Sequence, residues 1–131
     1  MFSFFDEIAF GVVMSPHVPG SLFFLRMICG FFFLPHALGK FTSREAAFGF
    51  FEKAGFRPAP LFGYAAMILE IVVGLCLLAG LLTRPVAWIG CLYLLVAAAA
   101  VVKVERKWLW HLGGCEYPLF WGLCCAVVAL A

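Results

Sequence analysis

A small set of ionisable and phenolic side chains interrupts runs that are otherwise strongly apolar, and these residues are the candidates for chemistry. They are Arg26, His36, Lys40, Glu70, Glu116 and Tyr117. An ionisable group inside a membrane helix costs roughly 2.5–3.5 kcal/mol on insertion scales, so it normally faces protein, water or a counter-ion. A histidine that titrates near neutrality and a buried carboxylate are the groups that a proton-coupled reaction requires. A structural role stays open, because buried ion pairs can fix helix pairing and Lys40 can extend to the headgroups.

The register of the first two apolar runs predicts which charges meet. If these runs form antiparallel helices with aligned midpoints, Glu70 is level with Phe31 and about 7.5 Å along the axis from Arg26. Lys40 then lies about 13 Å from Glu70, which is too far for a direct contact. We therefore predict that Arg26 and Glu70 share one interior pocket.

A second polar group is expected nearer the membrane surface. His36 and Lys40 are one helical turn apart and share a face of the first helix. The fourth apolar run begins on the same side of the membrane, with Glu116 and Tyr117 at its start. These four residues and the interior pair would form one polar column through the molecule.

Composition defines the class of elements that must hold this column. The chain has 131 residues, of which 66% are hydrophobic and 12% are charged, and its mean hydropathy is +1.09. A soluble domain of this size would need far more polar surface, so the sequence predicts a polytopic membrane protein in a lipid bilayer. A net charge of +2 is too small to indicate a nucleic-acid partner.

Hydropathy and periodicity predict four membrane helices and two surface helices. The membrane helices should cover 21–41, 60–82, 86–103 and 115–131, and the surface helices 3–14 and 43–54. Residues 1–20 would form an amphipathic interfacial segment, and residues 21–131 the four-helix transmembrane domain. Residues 83–85 are predicted as a tight turn between the second and third spans. The expected fold class is all-α, a polytopic membrane four-helix bundle with short amphipathic interfacial helices.

Cysteine and histidine patterns give little sign of a metal or a bound prosthetic group. The six cysteines include no C-x-x-C pair, and most lie inside apolar runs, where cysteine commonly packs as a small hydrophobe. We predict that the membrane-embedded thiols remain unpaired. The three histidines are widely spaced, so we expect no metal site, no haem and no covalently bound cofactor.

Several short sequence blocks after residue 20 form a recognisable set. They are Leu25-Arg26 with Gly30, Pro35-His36-Ala37-Leu38-Gly39-Lys40, Gly55-Phe56 with Pro58, the Glu70 helix ending in Gly80-Leu81-Leu82-Thr83-Arg84-Pro85, and Gly113-Gly114-Cys115-Glu116-Tyr117-Pro118. Together they resemble the DoxX family of small integral membrane proteins. The resemblance implies a four-helix membrane protein. It also implies a redox theme, because some members are linked to sulfur-compound oxidation with a quinone as acceptor, and others to thiol or oxidative-stress pathways.

Two classes of function remain open at this point. The first is a quinone-interacting or thiol/sulfur-redox-linked membrane subunit, in which His36 or Lys40 hydrogen-bonds a quinone carbonyl and Glu70 or Glu116 exchanges the proton. The second is a non-enzymatic small transporter or membrane assembly partner, in which the column conducts or braces. A quinone is the candidate ligand, and a redox partner subunit and a second copy of the chain are candidate partners. The expected location is the bacterial cytoplasmic (inner) membrane.

Overall fold

Helices form every regular element of the described chain. A computed structural model gives residues 20–131, without the side chain of Trp110. The helices are α1 (Gly20–Thr42), α2 (Arg44–Ala54), α3 (Ala59–Ala79), α4 (Thr83–Glu105) and α5 (Glu116–Leu130), with a 3₁₀ turn at Trp110–Leu112. The all-α class is confirmed, and a helix is found in each range predicted after residue 20. The predicted surface helix at 3–14, and with it the interfacial segment, lies outside the described residues.

Three of the helices are suited to crossing a bilayer by length and composition. These are α1, α3 and α4, with 23, 21 and 23 residues. The apolar helix α5 has 15 residues, which is about 22 Å at helical rise against roughly 30 Å of hydrocarbon core. Large apolar side chains such as Phe24, Ile68 and Leu92 are exposed on the outer faces of α1, α3 and α4. An apolar outer surface of this extent fits contact with lipid, so the protein is an integral membrane protein.

The helices pack as two close pairs, α1 with α3 and α4 with α5. The core between them holds Phe33 from α1, Leu77 from α3 and Cys125 from α5, all fully buried. All six cysteines, which lie in the described part of the chain, are free thiols. The buried cysteines therefore fill the core as small apolar side chains.

Two glycines set the register of α1 against α3. A Cβ atom added to Gly30 would lie 3.0 Å from the carbonyl oxygen of Gly74, and one added to Gly74 would lie 2.9 Å from the carbonyl oxygen of Gly30. Real Cβ atoms rarely come so close, so the two backbones can touch here only because both residues lack a side chain. In antiparallel helices, a Gly30–Gly74 contact brings Glu70 level with Leu34.

The connection between α3 and α4 differs from the predicted turn. Thr83 already begins α4, so Pro85 lies in the first helical turn, where its missing N–H would have no helical partner. The chain reverses at residues 80–82, just before Thr83, where Gly80 and Leu82 have φ angles of 75° and 48°. The prediction of a turn at 83–85 was therefore wrong, because a proline was taken as a break where it starts a helix.

The amphipathic helix α2 lies on the ends of α3 and α4. Its charged residues Glu52 and Lys53 are exposed, whereas Phe50 and Phe51 are half-buried. Lys103 near the end of α4 donates a hydrogen bond from Nζ to the carbonyl oxygen of Ala54 at 2.8 Å. This bond satisfies one of the carbonyls that a helix C-terminus leaves free, and it ties α2 to α4.

Candidate functional site

The centre of the site is a buried carboxylate held from two other helices. Lys40 of α1 donates from Nζ to Oε1 of Glu70 at 2.6 Å, and the hydroxyl of Tyr93 in α4 donates to the same oxygen, also at 2.6 Å. The side chain of Glu70 is 3% exposed and that of Lys40 is 23% exposed. The other carboxylate oxygen, Oε2, is buried and has no hydrogen-bond partner among the described residues. The carboxylate is thus oriented through one oxygen, and the other is left to accept.

Aromatic rings surround His36, one helical turn before Lys40. The imidazole stacks on the ring of Tyr117 with centroids 5.7 Å apart, and its centroid lies 5.0 Å from that of Trp121. The indole N–H of Trp121 donates to the carbonyl oxygen of Cys29 at 3.3 Å. These contacts link α1 to α5 beside the ion pair.

A cavity of about 460 Å³ joins these side chains. Its polar end is formed by His36, Lys40, Glu70, Tyr93 and Tyr117. The rest of the wall is apolar, with phenylalanines from α2, α3 and their connector and with alanines from α3 and α4. A mostly apolar cavity of a few hundred Å³ with a few converging polar groups is typical of small-molecule sites. We refer to it below as the Glu70 cavity.

Arg26 does not join this site, and the predicted Arg26–Glu70 pocket was wrong. The guanidinium donates from Nη1 to the carbonyl oxygen of Leu77 at 2.7 Å and lies over the ring of Phe23. The Gly30–Gly74 contact displaces α3 by three residues, about 4.5 Å, from the register assumed in the sequence analysis. Glu70 moves toward Lys40, and the remaining offset of about 9 Å along the axis is covered by the two side chains together.

The start of α5 contributes one of the two residues expected there. Tyr117 lines the Glu70 cavity and stacks on His36, in agreement with the predicted polar column. Glu116 is absent from the cavity wall, although its Oε2 is also buried without a described hydrogen-bond partner. The structure therefore brings together His36, Lys40, Glu70 and Tyr117, and leaves Arg26 and Glu116 outside the cavity.

Tyr93 is a site residue that the sequence analysis missed. It carries a hydroxyl group in the interior of a span that is otherwise almost entirely apolar between residues 86 and 102. Membrane tyrosines are usually found at the headgroup level, so a tyrosine within a span needs a buried partner. The position of Tyr93 in the middle of an apolar span therefore indicated a buried hydrogen-bond partner, and the structure shows that this partner is Glu70.

A comparison with known families finds a match to most of this chain. The family model described as DoxX matches residues 21–103, which run from α1 to near the end of α4. The chain belongs to the DoxX family. Within this DoxX-family chain, the matched region holds Lys40, Glu70 and Tyr93, whereas Tyr117 and Trp121 lie beyond it.

A curated relative is the Bacillus subtilis (strain 168) protein named "Putative oxidoreductase CatD". It is 34% identical over 84 residues, which are 63% of this chain and 58% of the relative. The chain therefore matches a little over half the length of that protein. No solved structure matches the chain.

The Glu70 cavity of this DoxX-family protein can bind a ligand group and exchange a proton with it. Lys40 and Tyr93 both donate hydrogen bonds to Oε1 of Glu70, and they fix the orientation of the carboxylate. A buried acceptor without a partner costs about 1–3 kcal/mol, so Oε2 favours a ligand that brings a hydroxyl or N–H group. Lys40 and His36 offer donors to a carbonyl oxygen on the same ligand.

Proposed function

We propose that this DoxX-family protein is a quinone-interacting membrane subunit of a redox system. The observation that carries the proposal is the free Oε2 of Glu70, at the polar end of a cavity whose other walls are apolar. A quinone combines a ring with hydrogen-bonding oxygens and a hydrocarbon tail, so it matches both ends of such a cavity. The name of the Bacillus subtilis relative, an oxidoreductase, supports the same class of function.

The donors and acceptors of the cavity suit both forms of such a ligand. His36 and Lys40 would hold the oxygens of the oxidised ring, since carbonyl oxygens only accept hydrogen bonds. Oε2 of Glu70 would accept from the hydroxyl of the reduced ring and take its proton. A quinone, when bound, supplies two-electron chemistry with uptake of two protons. The residues of this chain supply the position, the proton acceptor and a low-polarity wall.

The apolar wall would hold the hydrocarbon tail. Phe51 packs edge-on against Phe56, and Phe56 lies 5.2 Å from Phe62 by ring centroids. These rings lie in the cavity wall, and Phe62 is partly exposed on the outer surface of α3. The tail of a membrane quinone could therefore run along these rings to the lipid.

The cellular setting forms part of the same proposal. We infer a bacterial cytoplasmic (inner) membrane, with a redox partner subunit as the source of electrons and a second copy of this chain as a further candidate partner. Most of the basic residues lie between the end of α1 and the start of α3, or at the end of α4 and just beyond it: Arg44, Lys53, Arg57, Lys103, Arg106 and Lys107. Arg84 lies in the first turn of α4, at the opposite end of that helix. By the positive-inside rule, the more basic side would face the cytoplasm.

The test uses a matched pair of alanines on α4. Ala97 lines the Glu70 cavity, whereas Ala99 is exposed on the outer surface and is not part of the cavity wall. A photoreactive azidoquinone, competed by decylubiquinone in nanodiscs, should label residues of the cavity wall. Ala97→Leu should weaken competition by about tenfold or more, because overpacking costs about 1–3 kcal/mol. Ala99→Leu should leave it unchanged.

Two results would contradict the quinone proposal. Labelling that maps to outward-facing residues would mean that the probe samples lipid and not the cavity. Equal competition in Ala97→Leu and Ala99→Leu would mean that the cavity does not bind the ring. A stable protein with either result would favour the non-enzymatic transporter or assembly role.

A further inference from the structure

A second hollow adjoins the Glu70 cavity at the junction of α1 and α2. Its volume is about 330 Å³, and it shares His36, Lys40 and Ala47 with the cavity. Its other wall residues are exposed, and they are Pro35, Gly39, Ser43 and Ala46. We refer to these seven residues as the elbow groove.

The elbow groove lies at the level where water meets the membrane. It is formed where α1 ends and α2 begins, and the first residues of α2, Arg44 and Glu45, are charged and exposed. Charged side chains on an amphipathic helix mark the headgroup level and the adjacent water. The groove is therefore open to the aqueous side, whereas exposed wall residues of the cavity such as Phe62 and Val96 are apolar and face lipid.

Lys40 joins the two spaces. Its Nζ contacts Oε1 of Glu70, while 23% of its side chain remains exposed. Glu70 itself is 3% exposed and lines only the cavity, as does its other partner Tyr93. Along this side of the protein, the way from water to the carboxylate runs past Lys40 and His36.

We propose that the elbow groove is the aqueous port of the Glu70 site. Protons and small polar solutes reach Glu70 past Lys40, and lipophilic molecules reach it from the lipid-facing side of the cavity. The proposal rests on the proposed function for the identity of the lipophilic molecule. Aqueous access to Glu70 can nevertheless be measured without any quinone.

Gly39 allows the port to be narrowed without disturbing the ion pair. It lies in the groove wall and not in the cavity wall, and a Cβ atom added there meets nothing within 4 Å. Leucine at this position would place its side chain at the groove without a clash at the backbone. Gly49 on α2 gives a matched control, because its added Cβ atom also meets nothing within 4 Å and it lines neither space.

The experiment uses two carbodiimides on the whole protein in nanodiscs. Either reagent activates the carboxyl group of Glu70, and the adjacent amine of Lys40 then attacks it. An amide forms between the two side chains, and the carbodiimide leaves as a urea that carries the elements of one water molecule. Mass spectrometry detects the linked peptides. A Glu70→Gln variant has no carboxyl group at this position to activate, so the linked peptide that is lost in this variant is the one that contains the Lys40–Glu70 amide.

The two reagents differ in the route that they can use. The charged, water-soluble ethyl-dimethylaminopropyl-carbodiimide should depend on the groove, and membrane-soluble dicyclohexylcarbodiimide should enter from the lipid. Gly39→Leu should slow linkage by the water-soluble reagent roughly fivefold or more, because close-packed side chains exclude it. In Gly39→Leu, the rate of linkage by the membrane-soluble reagent should stay unchanged. Gly49→Leu should change the rate of neither reagent.

Three outcomes would overturn the aqueous port. They are no linkage by the water-soluble reagent in the unaltered protein, no slowing in Gly39→Leu, and equal slowing of both reagents in that variant. Equal slowing of both reagents would show that Gly39→Leu disturbs the ion pair itself and does not block an aqueous route. Quinone photolabelling on the same variants keeps the two proposals separate, because the port can be present in a protein that does not bind quinone.

Discussion

Lys40 and Glu70 should be thermodynamically coupled, because each holds the other in an apolar setting. The perturbation is a double-mutant cycle of Lys40→Met, Glu70→Gln and the combined variant. Lys40→Met leaves the carboxylate, with 3% of its side chain exposed, without its cationic partner. Glu70→Gln keeps an oxygen for Tyr93 and leaves a lysine that is already 23% exposed at the elbow groove. The first change should therefore be the more damaging.

The magnitude follows from what each stranded group can do. Removing one partner of a buried ion pair costs about 3–5 kcal/mol. We expect a loss of about 3–5 kcal/mol for Lys40→Met, because this change leaves the buried carboxylate without its ion-pair partner. We expect a loss of about 1–2 kcal/mol for Glu70→Gln, because the unpaired lysine can turn to water. The combined variant should lose at least about 1.5 kcal/mol less than the sum of these losses.

The assay is unfolding by sodium dodecyl sulfate in mixed micelles, followed by tryptophan fluorescence. Arg26→Leu provides the control cycle, because Arg26 contacts the Leu77 carbonyl and not Glu70. The change in unfolding free energy caused by Arg26→Leu should be the same, within about 0.5 kcal/mol, whether residue 70 is Glu or Gln. Additive losses for Lys40 and Glu70, or coupling between Arg26 and Glu70, would refute the ion-pair assignment.

Other parts of the structure lead to further predictions. Gly74→Ala should cost about 1–3 kcal/mol in the same unfolding assay, because its methyl group would lie 2.9 Å from the Gly30 carbonyl oxygen, whereas Gly39→Ala should be tolerated. Lys103→Met removes the hydrogen bond to Ala54, so amide hydrogen exchange should rise in α2 and stay unchanged in α1. Mass spectrometry after non-reducing alkylation should find no disulfide at Cys29, Cys76 or Cys91.

Much of the helical architecture could be predicted from the sequence, because hydropathy and length decide membrane helices almost alone. The apolar runs that became α1, α3, α4 and α5 are separated by short polar or proline-containing connectors. The amphipathic pattern of α2 was equally clear. The exception was Pro85, because a proline can end one helix or begin the next, and only the position of the preceding turn distinguishes the two.

The pairing of charges could not be predicted in the same way. Midpoint alignment assumes that two helices centre on the same plane, but their register follows from where their backbones can approach. Gly30 and Gly74 were both visible in the sequence, yet many small residues lie in these helices and no rule singles out the pair that touches. The three-residue error that resulted was enough to exchange Arg26 for Lys40 as the partner of Glu70.

The glycine contact therefore determines chemistry as well as packing. Glu70 lies four residues, one helical turn, from Gly74, and its level in the membrane follows from the height at which the two glycines meet. A slip of one turn, about 5.4 Å, would carry the carboxylate either toward the headgroups or toward Arg26. In the first case its charge could be hydrated without a partner, and in the second Lys40 would lose contact with it. The observed register leaves Lys40 able to touch both Glu70 and the aqueous groove, so the Gly30–Gly74 contact supports any proton exchange that this site performs.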